Sequence, residues 1–477
     1  MVPSPRATGR PTQVLFVLLL AGVSFALSQT LVVPALPQIS REFSTGASSA
    51  SWVLTGFLLS ASVATPIVGK LGDLYGKGRV LTVVLIMFSL GGVVCALAGS
   101  IGVLIAGRVV QGVAGGVFPL AFGIVRDTFP PERVGTGLGI ISAIFGIGGG
   151  IGLPLSGVMV DNFDISWLFW ISLIALPAAL AAQRLIPESA PVEHARIDWL
   201  GAALLSVALA AILLGVTEAN SWGWDSARTL GLIAGGLVVL GVWIRVEARS
   251  QEPLIDLRIL SARAVATTNL TGFMIGFAMF SSFLLIPQFA QAPESTGYGF
   301  GASVTQAGLL LFPAAVAQLI AGPLAGRLGG VIGFRTTLAM GAGFATAAFV
   351  LLTLQHHSEW DFVLAGVLLG AGISFAFASM ANLIVGAVPQ SQVGIATGIN
   401  TVMRTVGGAF GAAAATAILL GNTIADTPIP SEGAYTTAFL MSAVGGVLAL
   451  GAALLVPTRA AEAAARRAAA EASPSSA

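Results

Sequence analysis

"GKLGDLYGKGR", Gly69 to Arg79, sets four glycines and four charges between two long apolar stretches, 52–71 and 80–98. Glycines let two helices and a tight loop come close together, and Asp73, Lys77 and Arg79 have the charge to bridge helix ends. A degenerate echo, "GPLAGRLGGVIGFR" from Gly322 to Arg335, follows a later apolar stretch in the corresponding place. The chain therefore reads as duplicated. Around this pair the composition is that of a membrane protein: 56% apolar residues, 9% charged residues and 60 glycines in 477 positions do not describe a soluble globular chain.

A spanning helix needs roughly 20 mostly apolar residues. On that template the candidate spans are 14–38, 52–71, 80–98, 101–125, 136–160, 166–186, 199–217, 230–248, 265–289, 304–327, 336–354, 361–385, 394–420 and 435–456. They are too long, and too free of alternation, for barrel strands. The expected fold is thus an all-α polytopic membrane protein of fourteen spans. Spans 1–6 (14–186) are repeated as spans 9–14 (264–457), and a linker, 187–263, carries two extra helices, 199–217 and 230–248. A tail, 1–13, precedes this arrangement, and a low-complexity Ala/Arg/Glu tail, 458–477, follows it. Arg6 and Arg10 ahead of the first apolar run resemble a secretory signal, but 14–38 exceeds a signal core, and it is read as a retained span.

Charge distribution gives the topology. With the amino terminus inside, eighteen basic residues fall in inner loops and tails and only Arg41 and Arg228 in outer ones, so both termini are expected in the cytoplasm. Two arginines remain within spans, Arg108 and Arg404. The 21 acids divide between the two ends of the helices, and none is expected at mid-membrane. Cys95 is the single cysteine, so an intrachain disulfide is impossible, and it reads as a small buried apolar residue. His356 and His357 stand beside Glu359 and Asp361 in an outer loop at poor spacing for ligands, and no metal is expected. Trp167, Trp170, Trp222 and Trp224 read as interfacial anchors.

The sequence resembles the major facilitator superfamily, and within it the fourteen-helix drug:proton antiporter family. "GKLGDLYGKGR" is similar to the superfamily's inner-loop motif, and "RVVQGVAGG", Arg108 to Gly116, to its fourth-helix motif. "GIGGGIGLPLSG", holding Gly146, Gly150, Gly152, Pro154 and Gly157, resembles the fifth-helix motif of antiporters, with Leu153 and Ser156 where that pattern has proline and glycine. "IDWLGAALL" and "EPLIDLRIL", flanking the extra pair, resemble marks of the fourteen-helix branch. The resemblance implies two six-helix bundles alternating around a central site. One departure stands out: the first helix of this branch usually carries an acid in "D-x-T-I-V-N-x-A-L-P", and this chain reads "SQTLVVPALP", with Ser28 at the acid's position and Pro34 at the asparagine's.

A charge at depth costs roughly 3 kcal/mol or more and normally marks a pathway. At about 1.5 Å per residue, Arg404 lies roughly 16 Å inside its span. Gln111, Ser28, Gln29, Asn382 and Asn400 are the candidate polar neighbours of Arg108 and Arg404. With no mid-membrane acid to pair with, Arg108 is a candidate to hold the polar end of a neutral or anionic amphipathic passenger, with Phe25, Phe57, Phe118 and Phe145 as apolar walls. The competing reading is a structural Arg108 bonded to the backbone of span 1. Asp127, closing span 4 among basic residues, is the candidate proton carrier, with Asp73 second; Asp73, Lys77 and Arg79 read as a latch between bundles. The glycines of span 5 mainly permit close packing.

No phosphate-binding loop or sizeable soluble domain is present to hydrolyse ATP. The leading expectation is an ion-driven exporter of small amphipathic molecules, proton-coupled, monomeric, without cofactor or nucleic-acid partner. An uptake symporter for a metabolite, or a lipid or metabolite exporter without proton coupling, is the alternative, and an enzyme or scaffold comes last.

Overall fold

The computed structural model describes residues 11–33, 35–45, 47–187, 198–250, 253, 255–425, 427 and 429–457. Residues 1–10, 188–197 and 458–477 thus fall outside the described residues, as does Pro34. Among the described residues the protein is helical, with a single isolated bridge between Thr423 and Pro430.

The long helices are α1 (Pro11–Thr30), α2 (Ala47–Tyr75), α3 (Lys77–Ala96), α4 (Ile101–Thr128), α5 (Pro131–Asn162), α6 (Ser166–Leu185), α7 (Trp199–Thr217), α8 (Ala227–Glu247), α9 (Arg263–Gln291), α10 (Val304–Leu310 continued by Phe312–Ile332), α11 (Phe334–Leu354), α12 (Glu359–Ala387), α13 (Val393–Gly421) and α14 (Glu432–Leu455). Thirteen of them are long and apolar enough to cross a membrane. The remaining one, α5, has 32 residues, a length of roughly 48 Å that exceeds the bilayer core. Exposed side chains such as Val331, Leu354, Val238 and Leu420 give the apolar exterior that lipid requires.

Two of the interruptions in the expected spans are explained by the sequence. The first stops at Thr30, and a separate short helix, Leu36–Glu42, follows with a proline in its first turn, so 14–38 is not one helix. Proline lacks the N–H that a continuing helix needs. In α4 the "GVAGG" stretch tightens into a 3-10 turn, Gly112–Gly116, before Val117 resumes the α-helix.

The duplication is visible in the loop geometry. Gly76, between α2 and α3, has φ 97°, and Gly333, between α10 and α11, has φ 91°. Both lie where a side chain is strained, so the motif and its echo turn the chain alike.

Packing defines two bundles. One core is built from α9, α11, α12 and α14, around Phe289, Phe349, Phe362 and Phe439. The other is built from α1 to α6, around Phe57, Phe88, Phe118 and Phe122, and it runs into Ala381, Ile384, Val385 and Val393 of the opposite bundle. The inserted α7 packs Ala202, Leu205, Leu209 and Leu213 with Ile395, Ile399, Val402 and Val406 of α13 and reaches α2, so it covers the α2/α13 seam. Helix α8 lies outside α7 and is the least buried of the thirteen.

Candidate functional site: a charged latch and two enclosed arginines

At the motif end, α13 begins at Val393 after Gln392, whose side chain caps nothing. The first amides of a helix have no partner within it. Asp73, from α2 of the other bundle, supplies one: its carboxylate accepts from Gly394 N at 3.3 Å and Ile395 N at 3.2 Å. The approach is possible because Gly69 and Gly394 face each other, each without a Cβ, and a methyl built on either would sit 2.5 Å from the other's carbonyl oxygen.

Lys77, one turn beyond Asp73, is 3% exposed and lies 3.5 Å from Asp73 Oδ1 and 3.0 Å from Asp127 Oδ2. Asp127 also accepts from Gln390 Nε2 at 2.7 Å, and Arg126 donates to Val388 O at 3.1 Å; both partners are in the opposite bundle. The expectation for Asp127 was an acid among basic neighbours. Lys77 and Arg126 are beside it, and the structure adds that one buried lysine stands between two carboxylates, because α2 and α4 bring Asp73 and Asp127 to the same ammonium. Arg79 is exposed on the following turn. Beside the latch a cavity of about 730 Å³ opens between the bundles, bordered by Arg126, Glu132, Gly135, Arg327 and Asn382.

Arg108 is fully enclosed. It donates to Val53 O at 3.0 Å, to Ser28 O at 3.2 Å and Oγ at 3.0 Å, and to Gln111 Oε1 at 2.9 Å, and its guanidinium lies 4.0 Å above the Phe57 ring. Ser28 and Gln111 are thus brought to it, and the backbone contact with α1 is present. Arg108 Nη2 and Gln111 Nε2 remain buried without a hydrogen-bond partner. Phe25, Phe57 and Phe118 form one aromatic group, with centroids 5.6 Å and 5.9 Å from that of Phe25. In this conformation they belong to the bundle core rather than to an open wall. Gln29 is half-buried at the end of α1. The side chain of Phe145 and the surroundings of Gly146 and Gly150 lie outside the described residues.

Arg404 is 4% exposed and sits 4.1 Å above the Phe377 ring, with Nη2 3.4 Å from Thr401 Oγ1. Asn400, one turn earlier, donates to Asn269 Oδ1 at 3.1 Å. Both arginines are therefore enclosed by their own bundles. Asn382 joins neither; it lies at the seam, 3.5 Å from Gly135 O.

The fifth-helix motif faces two ways. On one side, Gly148 and Gly152 admit α1, with Thr30 Oγ1 donating to Gly148 O at 2.6 Å, and Ser156 bonds Leu31 O. On the other, Pro154 abuts Gly308, and Gly157 abuts Thr305 of α10. The same seam continues through Gly139 with Gly322 and Gly135 with Gly326. Sequence reasoning missed Gln390, Gly394 and Ile395; the trace it left was a helix start without a capping residue of its own.

Two helical bundles clasped by a charged latch and a glycine seam define a polytopic membrane protein. Comparison with known proteins gives the family: the Major Facilitator Superfamily model matches residues 18–292 and 268–477, and the chain belongs to that superfamily of membrane transporters. It is 32% identical over 412 residues to an uncharacterized MFS-type transporter of Mycobacterium tuberculosis, covering 84% of this chain but 58% of that protein. It is 30% identical to the multidrug resistance protein Stp of the same species (82% of this chain, 73% of that one). It is 27% identical to the tetracenomycin C resistance and export protein of Streptomyces glaucescens (86% and 76%). The crystal structure of the human organic anion transporter MFSD10 superimposes with a TM-score of 0.67 at 17% identity, over 94% of this chain and 100% of that one, a likeness of fold.

Proposed function

We propose that the chain exports small amphipathic molecules across the cell membrane by alternating access, as a monomer driven by protons, with the motif end as the cytoplasmic gate. The observation that carries this reading is the latch. Asp73 caps α13 across the seam, Asp127 accepts from Gln390 and Arg126 donates to Val388, and these contacts can part and re-form without unfolding either bundle. The export-related names of the relatives support the direction, and the arginine asymmetry supports a cytoplasmic latch.

Protons couple through Asp127. While latched, its carboxylate is held by Lys77 and Gln390; when the bundles part it loses Gln390 and is left open to the cytoplasm for proton exchange. The passenger's polar end meets the unpartnered Arg108 Nη2 and Gln111 Nε2 once the bundle loosens around them, which favours neutral or anionic amphipathic molecules over lipophilic cations.

Counterflow in inverted vesicles, with and without a pH gradient, tests drive and direction. Export stimulated by the gradient, and loss of the stimulation in Asp127→Asn, is expected. Wild-type pH-driven rates in Asp127→Asn would remove Asp127 as carrier. In cells lacking their own pumps, Arg108-dependent export of ethidium or quaternary ammonium compounds, with none of acidic or neutral drugs, would overturn the passenger class.

A further inference from the structure

At the end of the molecule opposite the latch, the turn after α11 carries His356 and His357, and α14 starts at Glu432. His356 Nε2 lies 3.2 Å and His357 Nδ1 3.7 Å from the same oxygen, Glu432 Oε1. All three ligand atoms fall within 4.8 Å of one another. We propose that His356, His357 and Glu432 form a binding site for a borderline divalent cation, Zn2+ in the first place, that ties the α11 turn to the start of α14.

Three features carry the assignment. The first is spacing. With Zn–N and Zn–O bonds of about 2.0–2.2 Å, neighbouring ligands of a tetrahedral ion stand roughly 3.3–3.5 Å apart. Two of the three edges, 3.2 and 3.7 Å, already bracket that value. The third closes by rotation of His357, whose side chain is 75% exposed.

The second is orientation. His356 Nδ1 stands 2.7 Å from Leu352 O. A carbonyl only accepts, so Nδ1 carries the proton, and in the neutral ring Nε2 turns its lone pair towards a carboxylate. Two acceptors facing each other require a cation between them or a second proton on the ring. A histidine that donates its other nitrogen to a backbone carbonyl is the arrangement metal sites use to fix the tautomer and the ring.

The third is preorganisation. His356 is 5% exposed and packs edge-on against Phe289 at 5.5 Å. Tyr298 Oη donates to Pro430 O at 2.5 Å, which holds the segment leading into Glu432. One enclosed ligand, His356, and two more exposed ones, His357 and Glu432, leave a coordination position for water. Imidazole and carboxylate together suit Zn2+ over the hard oxygen-seeking cations. The ligands come from turns joined to one bundle, so the ion stiffens that bundle's outer end and is compatible with rocking.

The test uses the full chain, purified without a polyhistidine tag and placed in nanodiscs. Calorimetric titration with Zn2+, and Co2+ absorption as a reporter of tetrahedral geometry, should give one saturable ion per chain. His357→Asn and Glu432→Gln should each weaken binding at least about tenfold, a loss typical of disturbed metal shells, whereas Asp361→Asn should not. His357 is exposed enough that its replacement leaves folding intact, so this variant alone decides. Absence of saturable binding by the wild-type protein, or affinity in His357→Asn within twofold of wild type, would overturn the proposal.

Discussion

Gly69→Ala is expected to open the latch without unfolding the protein. The new methyl would sit 2.5 Å from Gly394 O and 2.7 Å from Gly394 C. Those are backbone atoms at the start of α13, unable to turn aside as a flexible side chain would. The clash exists only while α2 and α13 touch, so its cost falls on the latched state and spares each bundle. Overpacking of this kind costs about 1–3 kcal/mol. Applied to a two-state equilibrium, that moves the latched-to-open ratio roughly 5- to 150-fold.

The measurement is a distance distribution between spin labels at Tyr75→Cys and Val331→Cys, both exposed at the motif end and in opposite bundles. The only native cysteine, Cys95, is 3% exposed and adds little background. Wild type should give a dominant short distance; Gly69→Ala should transfer population to a longer one, with the thermal melting of the bundles nearly unchanged. An unchanged distribution would refute the reasoning. So would a lowered melting temperature with unchanged distances, because the clash would then lie within one bundle.

Asp73→Asn keeps the side chain's shape but turns one accepting oxygen into a donor facing the Gly394 and Ile395 amides; it should populate the same long distance, by about 1–2 kcal/mol for a lost cap. Arg108→Lys replaces a planar fork bonded to Val53, Ser28 and Gln111 by a single ammonium, and should lower stability in nanodiscs by about 3 kcal/mol, read as a melting shift. Glu218, 5% exposed in the turn after α7, has its carboxyl pushed above the usual carboxylate range by burial, against a Ser221 hydrogen bond that pulls it down. A raised acid stabilises the fold fully below its unfolded value and loses that as pH rises through the folded one. Glu218→Gln should therefore raise the melting temperature at neutral pH, with the gain fading as pH falls through the carboxylate range.

The helices were legible because each is a long apolar run, and the expected 199–217 coincides with α7 at both ends. The doubled motif was legible because a glycine-rich stretch with charges, Gly69 to Arg79 and Gly322 to Arg335, recurs at the end of an apolar run. The latch was half legible. Asp73, Lys77 and Asp127 announced themselves as charges at apolar ends, but their partners are backbone amides and Gln390, which carry no mark of distance. The metal-ligand cluster was illegible for a related reason: the local acids Glu359 and Asp361 drew the eye, while the carboxylate that reaches His356 and His357 arrives from Glu432 on another helix. Arg108 was legible as an anomaly, yet periodicity alone does not say whether a buried guanidinium meets carbonyls or a cavity.

The two seams between the bundles are related by the duplication, but they are not built alike, and the difference dictates how the molecule can move. Along α5 and α10 the close approaches run from Gly135 with Gly326 through Gly139 with Gly322 to Pro154 with Gly308 and Gly157 with Thr305. That stretch of about 22 residues covers roughly 33 Å, the full apolar core. Along α2 and α13 the backbone approaches are Gly69 with Gly394 and Gly398 with Thr65 and Pro66, all near the motif end. Opening the motif end must therefore part the latch and the Gly135 and Gly139 contacts together. The Pro154 and Gly157 contacts lie at the far end and can remain as the pivot. What holds the near end is a cap worth about 1 kcal/mol, a few charge-assisted hydrogen bonds of about 1.5–3 kcal/mol each, partly replaced by water on opening, and the apolar packing of Ala381, Ile384, Val385 and Val393 against the first bundle. On the proposed reading, a passenger or a proton that favours one state by about 1–3 kcal/mol works this end by shifting the balance between latched and open forms rather than by breaking each contact outright.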